Sequence, residues 1–176
     1  MNLEHKFSAL GTEVTVTDGT TISGYASLFG KSDQGGDTVE KGAYGASLAK
    51  GRGVKMLWQH DPAQPIGVWD EVREDARGLW VKGRLLTDVA KGREAVSLIA
   101  AGAIDGLSIG YRTVKARKDD KGGRLLSELE LWEVSLVTFP MLPDARVGAK
   151  GEDPAETALR EMAAAFESAR RMMARD

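Results

Sequence analysis

Glycine cuts the first 147 residues into mostly short stretches whose apolar positions alternate. A period of two marks a strand with one buried face, so a chain cut in this way builds its core from hairpins. EVTV at 13–16 alternates, Asp18-Gly19 is a two-residue hairpin signal, and TISGYASLF at 21–29 resumes the pattern. GKSDQGGD at 30–37 has the composition of a flexible loop. A short helix is expected over 42–50, ended by Gly51, and VKMLW at 54–58 reads as a buried strand that breaks at QHDP. IGVWDEVR at 66–73 and LWVKGRLL at 79–86 flank EDARG as an antiparallel hairpin. Thr87 stands where it would cap a helix over 88–101, closed by Gly102. Long strands follow over 107–117 and 124–139, and Pro140 and Pro143 stop the second.

These elements predict an α+β protein: a mainly antiparallel β-barrel, closed or half-closed, with a few helices around it. Residues 1–147 form the barrel domain, with helices at about 42–50 and 88–101. Residues 148–176 form a linker and an amphipathic helix, with Leu159, Met162, Phe166, Ala169 and Met173 on one face.

Composition removes several classes of function. A net charge of −2 offers no polybasic footprint for nucleic acid. With no cysteine, disulfides, thiolate metal sites and cysteine nucleophiles are excluded, and two histidines are too few for a histidine-rich metal centre. No apolar run approaches the roughly 18 residues of a membrane span, and the first residues lack the basic-then-apolar order of a signal peptide. The expectation is a cytoplasmic protein with no cofactor, metal, nucleic-acid partner or membrane.

GLSIG at 106–110 matches G-x-S-x-G, the nucleophile elbow of α/β-hydrolases. That elbow needs a strand, a sharp turn and then a helix, with an acid and a histidine following the serine. Here the predicted helix precedes Ser108, a strand follows it, and no histidine lies after it. The α/β-hydrolase fold is therefore excluded. Ser108 itself is left with two readings: a hydroxyl on a half-buried strand, or a nucleophile whose flanking Gly106 and Gly110 allow close approach of a backbone.

A serine nucleophile needs a base that works near neutral pH. His5 belongs to a terminal segment expected to move, whereas His60 stands at the end of a rigid strand. Asp61 follows it directly and points to the other face if the strand continues. A third group should orient the imidazole, and LELWEVSLVTFP offers Glu133. Straight alternation puts Leu131, Glu133, Ser135 and Val137 on one face, and an acid in so apolar a strand calls for a partner. Asp70, Asp88 and Asp105 are further acids that could serve.

Taken together, WQHDPAQPIGVW (58–69), GLSIGYR (106–112), LWEVSLVTFP (131–140) and the upstream GYASLFGKSDQGGDTVEKGAY (24–44) resemble the prohead protease family of tailed bacteriophages. The resemblance covers about residues 20–147. It implies an assemblin-like barrel, similar to the herpesvirus proteases, with a site in the order His60 (base), Ser108 (nucleophile) and Glu133. The herpesvirus branch has a histidine in the third place, where this chain has Glu133. The resemblance also implies an oxyanion-binding amide near Met141, since Pro140 and Pro143 lack an N–H, with Gly106 and Gly110 leaving room for substrate backbone.

The implied function is a serine endopeptidase that cleaves capsid and scaffold proteins, and itself, inside the assembling prohead in the host cytoplasm. The implied partners are the major capsid protein or scaffold as substrate, and a second copy of the chain in a homodimer or higher assembly. The competing reading is a non-catalytic scaffold or capsid-assembly factor that keeps the fold. The presence of serine, histidine and acid together discriminates against it.

Overall fold

The alternating stretches form strands. A computed structural model describes residues 4–7, 14–17, 19–33, 35–120, 122–138 and 147–148. The elements are β1 (Glu4–Phe7), β2 (Val14–Thr17), β3 (Thr21–Leu28), β4 (Asp37–Val39), α1 (Gly45–Ala49), β5 (Lys55–Trp58), β6 (Asp61–Glu74), β7 (Gly78–Leu85), α2 (Ala90–Ala100), β8 (Gly106–Lys118), β9 (Arg124–Val137) and β10 (Val147–Gly148). They join one sheet in the order β1-β8-β9-β5-β6-β7-β3-β2-β10, with β4 also on β9. The sheet curls, because β3 touches β1 and β8 from the far side of that order. The concave side holds a core that includes Ile22, Tyr44, Met56, Ile66, Leu79, Ile109, Leu131 and Val134.

The expectation of a mainly antiparallel sheet is met in part: most strand pairs among the described residues are antiparallel, but the sheet is mixed. β4 and β5 both pair with β9 in parallel, as does β10 with β2. The cause lies in how β9 is lined. Its one edge is taken along almost its whole length by β8. Its other edge is filled by β4 at residues 124–126 and then by β5 at residues 133–136. The chain thus advances along β9 in one direction, with α1 inserted between two collinear pieces. Over that gap, Glu40 N donates to Leu126 O, Leu129 N to Ala43 O and Leu131 N to Ser47 Oγ. A buried backbone amide needs such a partner, and Ser47 supplies the one the missing strand would have given.

Details of the helices and loops also differ from expectation. The first helix is a single turn, and α2 begins two residues later than the expected start at Asp88. Thr87 is not its cap: the N-cap is Val89 with no side-chain cap bond, and the Thr87 carbonyl instead accepts from Arg93 Nη1 at 2.8 Å. Gly102, at φ +69°, closes the helix as expected. The loop at 30–37 is tied down more than its composition suggests. Asp33 Oδ1 accepts from Asp37 N at 2.8 Å, and Arg124 holds the Asp37 carboxylate at 2.6 and 2.8 Å. The terminal helix at 148–176 lies outside the described residues. No helix among the described residues is long and apolar enough to cross a membrane.

Two features generate tests of this packing. A methyl at Gly92 would stand 2.1 Å from Leu86 O and 3.0 Å from Ile66 O, both backbone atoms that cannot swing aside. Alanine gains about 1 kcal/mol of helix propensity over glycine, but overpacking of this kind costs about 1–3 kcal/mol. Gly92→Ala is expected to be the less stable protein in urea unfolding.

The second concerns Asp75, which closes the β6–β7 loop by accepting from Arg77 N, Gly78 N, Tyr25 OH and Arg73 Nη1. Desolvation pushes its carboxyl up, but those hydrogen bonds prevail and hold it down at about 2. A depressed carboxylate stabilises the fold above its ordinary range and ceases to do so as pH falls through the folded value. Asp75→Asn should therefore unfold at lower urea than wild type at pH 5–7, and the difference should close as pH falls from 4 toward 2.

Candidate active site

The geometry starts from an irregularity in β9. Gly110 pairs with Glu133 and Tyr111 pairs with Leu131, so Trp132 is an extra residue with no opposite number. A bulge of this kind switches which face the following residues present. Leu129 and Leu131 lie in the core before it, and Val134 and Leu136 lie in the core after it. The straight alternation that put Leu131 and Glu133 on one face is corrected accordingly: the bulge turns Glu133 and Ser135 away from the core face that Leu131 occupies. Were the alternation regular through Trp132, the carboxylate would point into hydrocarbon.

On that second face Ser108 stands directly across from Ser135, and Gly110 across from Glu133. Directly opposite residues bring their Cβ atoms to about 5 Å. Both serines are fully buried, and Glu133 is 2% exposed.

His60 reaches the same face through a tight turn. β5 pairs with β6 up to Trp58 and Asp61, which leaves Gln59 and His60 as a two-residue loop. Both have positive φ, 51° and 62°, as a type I′ hairpin loop requires. Asparagine and glycine are the usual residues there, and neither is present. Left-handed backbone at a non-glycine residue costs about 1–3 kcal/mol and persists only where surroundings over-determine it. Gln59 N donates to Leu136 O at 2.9 Å, its side chain donates to Thr138 Oγ1 at 2.5 Å, and His60 N donates to Ser135 Oγ at 3.3 Å. The turn is thereby fastened to β9, and the imidazole lies over it.

His60 Nδ1 meets Glu133 Oε1 at 2.5 Å. A carboxylate only accepts, so Nδ1 carries the proton and Nε2 is the nitrogen left for proton transfer. The second oxygen, Oε2, accepts from Ser135 Oγ at 2.5 Å. Gly110 makes this arrangement possible, because a Cβ there would lie 2.1 Å from Glu133 Oε1. The second glycine of GLSIG thus makes room for the acid, where the sequence suggested room for substrate.

The other sequence candidates lie elsewhere. Asp70 is engaged by Arg84 at 2.8 and 2.9 Å, and partial exposure leaves that pair on the surface. The hydrogen bonds from Arg84 hold the Asp70 carboxyl below its usual range. Asp61 caps its own turn, accepting from Ala63 N and Gln64 Nε2. Asp88 lies in the turn before α2 and Asp105 just before β8. His5 falls in β1, opposite Gly110. Gly106 opens β8 opposite Val137. Met141 lies outside the described residues. Ser135 is the polar group that the sequence reading passed over; its signal was a lone hydroxyl two residues past a buried acid in an otherwise apolar strand.

A serine, a histidine and a carboxylate stand on one face of a curled sheet, residue types that serine hydrolases combine for nucleophilic catalysis. Residues 8–160 match the Caudovirus prohead serine protease family, and the chain belongs to it. It is 34% identical over 144 residues to the prohead protease of Enterobacteria phage HK97, covering 77% of this chain and 63% of that one. It is 30% identical over 128 residues to the prohead protease of Escherichia phage T5, covering 70% and 60%. The chain therefore spans about three fifths of the length of these relatives. Among solved structures, the bacteriophage T4 capsid assembly protease gp21 superposes with a TM-score of 0.64 at 16% identity, covering 78% of this chain and 98% of that one. That likeness is one of fold.

The role given to Gly110 is directly testable. In Gly110→Ala the new methyl and the Glu133 carboxylate compete for one space, so the acid must leave His60. A stability loss of about 1–3 kcal/mol is expected. The imidazole N–H resonance of His60 should lose the downfield position that a carboxylate partner confers.

Proposed function

We propose that this chain is a serine endopeptidase of capsid maturation, with Ser108 as nucleophile, His60 as general base and Glu133 as the orienting acid. The observation that carries the reading is the partly buried hydrogen bond from His60 Nδ1 to Glu133, on the face where Ser108 stands. In this mechanism Ser108 Oγ attacks the scissile carbonyl while His60 Nε2 takes its proton and later gives it to the leaving amine. Glu133 stays ionised, fixes the tautomer and stabilises the imidazolium. A backbone amide near Met141 would bind the oxyanion, a contribution of about 3 kcal/mol per donor. The complete burial of Ser108 means that this face must open before a peptide reaches it.

The substrates in this reading are capsid or scaffold proteins and the chain itself; in support, the HK97 and T5 relatives are named prohead proteases. The place of action is the assembling prohead in the host cytoplasm. The assemblin-like character of the barrel belongs to the same proposal. So do the division into a protease domain at 1–147 and an appended segment at 148–176, and pairing into a homodimer.

The test is incubation with the major capsid protein of the same phage, followed by mass spectrometry. Wild type should cleave, and Ser108→Ala and His60→Ala should each lose at least about a thousandfold in rate. Glu133→Gln should lose about a hundred- to ten-thousandfold while remaining folded. Cleavage by Ser108→Ala at the wild-type rate would sink the proposal. Loss in Asp70→Asn or Asp88→Asn, with Glu133→Gln active, would reassign the acid.

A further inference from the structure

We infer that Ser135 is a positioning residue of this site, a fourth polar member that locks the acid and the base to one another. The inference rests on the serine-protease reading above and extends it to a group that touches neither substrate nor the transferred proton.

Ser135 joins two things that would otherwise be independent. Its hydroxyl donates to Glu133 Oε2 at 2.5 Å and accepts from the His60 backbone N–H at 3.3 Å. The first bond fixes the rotation of the carboxylate, so that the other oxygen, Oε1, is aimed at Nδ1. The second bond holds the main chain of the residue that bears the imidazole, in a left-handed conformation that isolated chains avoid. Ser135 thus ties side chain to backbone across the two strands that carry acid and base.

Its placement leaves little freedom. Ser135 is fully buried, with Leu57 beside it on β5 and Ser108 beside it on β8. A buried hydroxyl earns its place only when its bonds are made, and here it makes one as donor and one as acceptor. Because the hydroxyl proton is committed to Glu133, Ser135 is not itself placed as the nucleophile, although it is as close to the acid as any residue in the site. A carboxylate satisfied on both oxygens also remains an acceptor toward the imidazole without turning to seek a second donor. The sites that work best are those whose reacting groups are held by a supporting layer of this kind.

Two variants separate positioning from packing. Ser135→Ala removes the hydroxyl, and Ser135→Cys fills nearly the same space with a weak donor. Two readouts are taken on the full chain: the rate of Ser108 labelling by a fluorophosphonate, and the His60 Nδ1–H proton resonance. Ser135→Ala should label about 10- to 100-fold more slowly than wild type, the scale of a small misplacement of catalytic groups, and its Nδ1–H signal should shift or broaden. Ser135→Cys should fall between Ala and wild type. The positioning role is overturned if both variants keep the wild-type signal and rate, or if Cys matches wild type while Ala fails, which is the signature of packing. The two arms also keep the hypotheses apart. Absence of labelling at Ser108 in wild type counts against the protease reading, while the resonance still decides whether Ser135 holds the acid to the base.

Discussion

Everything around the site follows from burying one carboxylate. Glu133 is 2% exposed in a strand otherwise built for a hydrocarbon core, and an unpartnered charge there would cost several kcal/mol. Both oxygens are therefore satisfied, one by an imidazole and one by a hydroxyl. Meeting that requirement dictates a glycine on the neighbouring strand, a bulge beneath the acid and a strained turn above it. The acid is expensive to keep in place, and the expense is spread over residues from β5, β8 and β9.

β9 is the frame that makes such a distribution possible. It is paired on both edges, by β8 on one side and by β4 and β5 on the other, so its backbone has little room to move. The parallel pairing of β5 with β9 matters for chemistry as well as for topology. It sets Lys55 opposite Glu133 and Trp58 opposite Leu136, so the turn after Trp58 starts beside Leu136 and folds the His60 imidazole back to Glu133. Catalytic groups drawn from adjacent strands of a paired sheet inherit the accuracy of the ladder.

The parts of this arrangement legible in the sequence were those encoded locally. Ser108 was visible through its glycines, His60 through its position where an apolar strand breaks, and Glu133 through its presence among leucines and valines. The family resemblance tied the three together, and it was the larger part of the reading. What was not legible depended on distant partners. Gln59 and His60 carry no composition signal for a two-residue hairpin loop, because their left-handed backbone is imposed by bonds to Leu136, Thr138 and Ser135. The parallel neighbours of β9 were missed because strand alternation says which face is buried and nothing about which strand lies alongside. Trp132 was read as one more step of the alternation, since tryptophan suits either face of a strand equally well. Thr87 looked like a helix cap, and the helix instead starts from Val89 without one.

The bulge at Trp132 gives β9 a reading frame. The core draws on odd positions at 129 and 131 and on even ones at 134 and 136, and the site occupies the parity that the core has vacated. Identity at most of these positions is a matter of size and polarity, and substitution is absorbed one residue at a time. Length is a different matter. A residue inserted on β8 between Gly110 and Tyr111 would give Trp132 a partner, restore a regular ladder and exchange the faces of β9 from that point onward, sending Glu133 and Ser135 into the core and Val134 and Leu136 out of it, whereas deletion of Trp132 would leave those faces as they are. The one-residue offset between β8 and β9 carries the information for the candidate site, and a frame-preserving change of chemistry would be easier for the fold to accept than a change of length that cancels this offset by giving Trp132 a partner.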